Sequence, residues 1–444
     1  MSALEERTAS PTELRKVTLA ASLGTAVEYY DFAVYAFMAS IIAPLFFPTE
    51  DPLVSLLLTF GAFASSYLVR PLGAVIFGPL GDKHGRRNVL SLVILIMSAA
   101  TAMIGFLPTY AQAGVLAPVL LTLARLVQGV SIGGEFGGAA AYIGEFAPAR
   151  TRAGYLGWLS VALGGGFFLG ALAAAALTAV VSEDALSEWG WRIPFWLALP
   201  IGVVGVIIRR NLSDTPEFEA AAGSRDLTRT PLLSSLRKNY VGILLSIGLL
   251  AGMTVSTYLF VIYAPSYLRT VVGFSSGDSL RITAVAIAVY CVAAPFLARL
   301  CDRVGRKPVL IAGLIGLVIL TYPGFAIIST SGPVGAGAAL TVLTVLTVTT
   351  SVSVIPLLVE LFATSTRYTS LGLGWNIAAA AFGGAAPLIA TSLIKVSDSV
   401  TAPAFYGIGC CILSLITVTM VKETSGISLR SIDVAEAPPR SRET

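Results

Sequence analysis

The sequence predicts an all-α membrane protein, with twelve transmembrane helices in two pseudo-symmetric six-helix bundles. Three observations predict it: a composition too apolar for a water-facing surface, apolar runs of membrane-crossing length, and loop motifs that recur about half a chain apart. Of 444 residues, 55% are hydrophobic and only 12% are charged. The mean hydropathy is +0.82. A soluble domain carries roughly 25% charged residues, so the solvent of this chain is largely lipid.

A helix needs about 20 residues to cross the hydrocarbon core, and a spanning backbone must satisfy its own hydrogen bonds. Apolar runs punctuated by Gly, Pro and charge give spans at 17–47, 53–80, 88–107, 115–146, 153–180, 191–208, 240–269, 277–300, 308–329, 335–361, 368–394 and 402–421. Residues 1–16 read as a polar tail, because the acid-containing run that follows is too long for a signal peptide. Residues 209–239 form the longest connection, dividing 17–208 from 240–421, with a short surface helix expected inside it; 422–444 reads as a disordered tail. Basic residues stay on the cytoplasmic side. Alternate loops and the two tails hold 23 of the 29, which places both termini in the cytosol of a multi-pass cell-membrane protein. Cys291, Cys301, Cys410 and Cys411 lie in or beside apolar runs without metal spacing and read as buried free thiols.

Two motifs are duplicated in register with the six-plus-six division. Asp82, Gly85, Arg86 and Arg87 recur 220 residues on as Asp302, Gly305, Arg306 and Lys307. Glu145, Arg152 and Gly157 recur 215 residues on as Glu360, Arg367 and Gly372. Parallel duplicated halves with a site between them are a carrier architecture.

The D-x-x-G-R-R/K loops resemble the signature of the major facilitator superfamily. VEYYDF (27–32), RPLG (70–73), RLVQGVSIGGEFGG (125–138), GWRIPF (190–195), TPEF (215–218) and RYTSLGLGWN (367–376) are similar to the metabolite:proton symporter family, whose carriers take shikimate, 2-oxoglutarate, citrate or proline/betaine. The resemblance covers nearly the whole chain. It departs at Cys301, where Gly is usual, and at Tyr29, where Trp is common. It implies that the duplicated loops latch the outward-facing state, with Glu145, Arg152, Glu360 and Arg367 among the gating residues. An aspartate beside a helix end can accept from a helix N-terminus or pair with an arginine of the other half, which mere topology determinants would not need.

A charge at mid-membrane costs at least about 2.5–3.5 kcal/mol and persists only with a partner or a role. At about 1.5 Å per residue, Glu28, Asp31, Arg70 and Arg125 all fall near the midplane, with Glu135 about 15 Å deeper. Glu28, Asp31 and Tyr35 share one helix face, as do Arg125, Gln128 and Glu135. Glu28, Asp31 and Glu135 are candidate proton carriers, since burial disfavours a carboxylate's charge. Arg70 is a candidate anchor for a solute carboxylate, because guanidinium offers a bidentate fork. The bland alternative for these groups is a permanent ion pair. The second half has no midplane charge, since Tyr290 stands at the position equivalent to Arg70; Tyr258, Tyr290, Trp375 and Asn376 could shape the pocket, with Tyr35, Arg125 and Gln128 from the first half.

The glycines of LGGGFFLG (163–170) and SIGGEFGG (131–138) permit close helix approach. The chain has no G-x-x-x-x-G-K-[ST] segment, and its single histidine is His84, so ATP-driven transport, His-rich metal sites and membrane hydrolysis are disfavoured. No cofactor, metal or nucleic acid is expected, and the working unit by analogy is a monomer. The leading expectation is proton-coupled uptake of a small organic acid or zwitterion by alternating access. An efflux antiporter is less favoured because span 5 lacks the Gly-Pro pair of such proteins, and a membrane sensor because no signalling domain is appended.

Overall fold

The computed structural model describes residues 11–73, 76–77, 80, 86–131, 135–210 and 231–429, and among them it is helical, without strands. The membrane helices are α1 (Pro11–Phe46), α2 (Pro52–Leu68, extended by a turn to Gly73), α3 (Arg86–Ile104), α4 (Leu116–Ser131 and Glu135–Phe146), α5 (Arg152–Val180) and α6 (Gly190–Ile207). The second set is α7 (Pro231–Thr257, Tyr258–Ile262 and Ala264–Thr270), α8 (Ser276–Val304), α9 (Arg306–Thr330) and α10 (Pro333–Val359). It ends with α11 (Thr364–Ala378, Ala379–Gly384 and Ala386–Ser397) and α12 (Pro403–Met420). Ten of the described helices are long and apolar enough to cross a membrane, and shorter apolar stretches of α3 and α4 bring the number to twelve. The surface helix expected within 209–239 falls mostly outside the described residues; α7 begins at Pro231 and is interrupted at Asn239, where the backbone leaves helical angles.

Local chemistry sets the ends. The Asp51 side chain accepts from Leu53 N at 2.8 Å with Pro52 opening the first turn, and the Ser275 side chain accepts from Asp278 N at 3.0 Å at the start of α8. On α8, Ile287, Tyr290, Ala294 and Ala298 are buried, while Val285, Val292 and Phe296 on the far side are over 60% exposed. A helix apolar on both faces, with one face bare, is built for lipid.

α1, α7 and α10 are the most enclosed, with 83%, 89% and 78% of their apolar windows buried, so they form the centre. α5 lies between α1 and α8, joining the halves. Its glycines make this possible: a Cβ on Gly166 would stand 2.4 Å from the Ala26 carbonyl oxygen of α1, and one on Gly164 2.6 Å from the Tyr290 ring of α8. Two π-helical stretches, Tyr258–Ile262 and Ala379–Gly384, interrupt α7 and α11 at the same level. Each precedes a proline, Pro265 and Pro387, which has no N–H for the carbonyl one turn back, so the ladder slips; Tyr263 N donates instead to Tyr258 O at 2.8 Å.

The approach of α2 to α4 has no slack. A Cβ on Gly129 would lie 1.9 Å from the Ser66 carbonyl oxygen, a backbone atom that cannot swing aside. Gly129→Ala should destabilise the detergent-solubilised protein by about 1–3 kcal/mol in thermal unfolding; an unchanged melt would contradict this packing.

Candidate functional site

At the level of the π-helical stretches the halves enclose a cavity lined by Tyr29, Arg70, Leu163, Met253, Thr254, Thr257, Tyr258, Trp375 and Ala379. It leaves about 20 Å³ for solvent, room for about one water molecule. Arg70 is its cation. The guanidinium is 5% exposed, its carbon sits 3.9 Å from the Tyr67 ring centroid and 4.9 Å from that of Phe32, and its Nε has no acceptor. Among the described residues no carboxylate comes within 4.0 Å of it, although Glu28, itself 3% exposed, is an electrostatic neighbour.

Arg125 is a neighbour of Arg70, its guanidinium carbon 5.3 Å from the same Phe32 ring centroid, but it does not line the cavity. It is buried behind Phe63 and Tyr35, with ring centroids 4.8 and 4.3 Å from the guanidinium carbon, and donates to Gln128 Oε1 at 2.7 Å and Ser66 Oγ at 3.2 Å. Gln128 Nε2 donates to Thr101 Oγ1 at 2.5 Å, and Asp31 Oδ2 accepts from Ser98 Oγ at 3.0 Å. Asp31 and Arg125 are electrostatic neighbours in a polar cluster built by α1, α2, α3 and α4, inside the first half. Thus Arg70, Tyr258 and Trp375 line the cavity, while Arg125 and Gln128 do not. Tyr35 donates to Thr59 O at 2.9 Å, Tyr290 packs against Gly164, and Asn376 donates to Gly372 O at 2.9 Å. The side chain of Glu135 lies outside the described residues.

The face that carries the basic loops is closed by a buried network between the halves. The duplicated Glu and Arg pair crosswise: Arg152 Nη1 meets Glu360 Oε1 at 2.8 Å, and Arg367 Nη1 meets Glu145 Oε1 at 2.7 Å. Each arginine also donates through Nε to a carbonyl in its own half, Arg152 to Gly144 at 3.0 Å and Arg367 to Val359 at 2.9 Å. Arg306 adds contacts to Glu360 at 3.2 Å and Asp302 at 3.1 Å. Asp302 accepts from Ala153 N at 3.0 Å and Gly154 N at 2.7 Å, the exposed donors at the N-terminus of α5 in the other half. Gly305 has φ +116°, which only glycine adopts readily, and a Cβ there would meet Glu423 at 2.9 Å. Asp82 and Gly85 lie outside the described residues, as do the side chains of Arg86 and Arg87.

Sequence reasoning missed the strap that completes this network. Residues 422–429, assigned there to the tail, fold back with Val421 over the gate. The Glu423 carboxylate accepts from the backbone N–H of Arg306, Lys307, Thr424 and Ser425 at 2.8–3.0 Å. Partial burial pushes its pKa up, but the four donors outweigh it and hold it below the usual range, so the carboxylate is charged and holds these donors at neutral pH. Thr424 Oγ1 donates to Glu360 at 2.5 Å, and the Ile427 carbonyl accepts from Arg152 at 3.2 Å. The helix N-terminus at Arg306, following Gly305, needs an acceptor, and Glu423, just past the last span, supplies it.

The opposite face is closed more lightly. Arg269 meets Glu183 at 3.3 Å, Lys395 contacts Asp51, and the Phe60 and Tyr263 rings touch at 5.6 Å between centroids. Both ion pairs are substantially exposed, and such pairs contribute about 0–1 kcal/mol.

Removing one partner from a buried charge cluster typically costs about 3–5 kcal/mol. Glu360→Gln leaves Arg152 and Arg306 facing each other and should loosen the basic face. Cys301, fully buried beneath this network against Ala153 and Val309, reports it. With Cys291, Cys410 and Cys411 replaced by Ser, maleimide labelling of Cys301 should accelerate at least about tenfold in Glu360→Gln; an equal rate would show that Glu360 does not hold the gate.

The comparisons with known proteins agree with this geometry. The family model of the Major Facilitator Superfamily matches residues 21–387. The proline/betaine transporter of Salmonella typhimurium is 36% identical over 431 residues, covering 94% of this chain and 85% of that protein. The glycine betaine/proline/ectoine/pipecolic acid transporter of Dickeya dadantii is 35% identical over 430 residues, with the same coverage. Among solved structures, the proton:xylose symporter XylE bound to 6-bromo-6-deoxy-D-glucose superposes with a TM-score of 0.76 over 96% of this chain and all of that one, at 18% identity, a likeness of fold alone. The chain belongs to the major facilitator superfamily, as a multi-pass membrane transporter and not an enzyme.

Proposed function

We propose that this transporter takes up a small zwitterionic solute of the proline or betaine type together with protons, by alternating access. The observation that carries the reading is Arg70, a buried guanidinium on the central cavity with no carboxylate of the described chain against it. A solute carboxylate supplies the missing acceptor, and the rings of Tyr29, Tyr258 and Trp375 around the same cavity offer π-faces to its ammonium group. The names of the relatives support the same solute class.

In this reading the basic face is cytoplasmic, with both termini, and the halves 17–208 and 240–421 rock about the cavity while 209–239 links them. Asp31 carries the proton within the cluster of Ser98, Thr101, Gln128 and Arg125, and Glu28 couples it to Arg70. Opening outward separates the exposed pairs Arg269–Glu183 and Lys395–Asp51; opening inward must break the buried network around Glu360 and lift the 421–429 strap.

Reconstituted into liposomes, the protein should accumulate labelled proline or betaine against its gradient when the exterior is acidic, and a protonophore should abolish this. Arg70→Lys should weaken half-saturation about tenfold or more, because an ammonium cannot reproduce the fork. Asp31→Asn should keep solute exchange and lose uphill accumulation; if this variant still concentrates solute, the proton is carried elsewhere.

A further inference from the structure

Tyr67 joins Arg70, the cation of the cavity, to the opposite half. It is 1% exposed on α2, and its ring lies beneath Arg70. Its hydroxyl bonds that of Tyr258 on α7 at 2.5 Å. The pair is seated on the π-helical stretch of α11: a Cβ on Gly384 would come within 2.4 Å of the Tyr67 ring, and one on Gly383 within 2.8 Å of Tyr258. Helices α2, α7 and α11 therefore meet at one hydroxyl–hydroxyl bond beside the cavity.

We propose that this bond closes the carrier when it is empty, with Tyr67 as a positioning residue that the loaded carrier does not need. The cavity here holds about one water molecule, so without each other two buried hydroxyls would lack partners. The nearby Nε of Arg70 is already without one. A solute carboxylate brings acceptors for both Arg70 and the Tyr258 hydroxyl, and the halves then close through the solute. Empty, they close through Tyr67. Net uptake requires the empty carrier to return after each delivery, whereas exchange of internal for external solute does not. The inference rests on the zwitterion reading above.

Tyr67→Phe separates these roles, since it keeps the ring under Arg70 and removes only the hydroxyl. In proteoliposomes, net proton-driven uptake of labelled betaine should fall about fivefold or more, as expected for losing one buried hydrogen bond, while exchange at saturating solute stays within about twofold. Retained exchange also certifies folding. Tyr67→Leu, which removes the ring as well, should weaken both modes. Tyr258→Phe should lower net uptake as Tyr67→Phe does and weaken exchange as well, because the Tyr258 hydroxyl also meets the solute carboxylate. If wild-type protein accumulates no betaine, the solute reading fails. If wild-type protein accumulates it and Tyr67→Phe lowers both modes equally, or neither, the empty-state role of Tyr67 is overturned.

Discussion

The structure depends on keeping charge out of hydrocarbon. A guanidinium or carboxylate taken from water loses several kcal/mol of solvation and recovers it only from well-aimed partners. Glu360 shows the solution: with a side chain of 0% exposure, it receives Arg152 from the first half and Arg306 and Thr424 from the second. Because its partners come from both halves, the need to satisfy the charge is also what holds the halves together. A seam fastened by apolar packing alone would have no such discrete contacts to break, since lipid satisfies apolar side chains as well as protein does.

The two faces use the same chemistry at different strengths. On the basic face the ions are buried, backed by helix ends and covered by the 421–429 strap. On the opposite face the pairs are exposed, where water and salt screen them. The structure is consequently closed on both sides, more lightly on the opposite face.

The halves also divide the labour inside the membrane. The first half contributes Arg70, Glu28, Asp31 and Arg125, with the Ser98 hydroxyl on Asp31 and the Ser66 hydroxyl on Arg125. The second contributes Tyr258 and Trp375, set beside π-helical stretches where Pro265 and Pro387 have loosened α7 and α11. Among the described residues, these charges thus sit in the first half and the two π-helical interruptions in the second.

Hydropathy alone determined the twelve spans, because crossing a bilayer is a one-dimensional requirement on length and polarity. Helix rise and phase likewise brought Glu28, Asp31, Arg70 and Arg125 to one depth. Depth does not say what a side chain faces, however. Only the packing of α2 against α4 decided that Arg70 faces the cavity while Arg125 is enclosed by Tyr35, Phe63 and Gln128. The duplicated Glu and Arg were visible as a repeat, but their crosswise pairing, Glu145 with Arg367 and Glu360 with Arg152, was not, since a sequence repeat records similarity within each half and not contact between them. Tyr67 and Glu423 carried no sequence signal strong enough to separate them from packing and tail, because their partners stand far off along the chain, at Tyr258 and Arg306, and only the folded molecule brings them together.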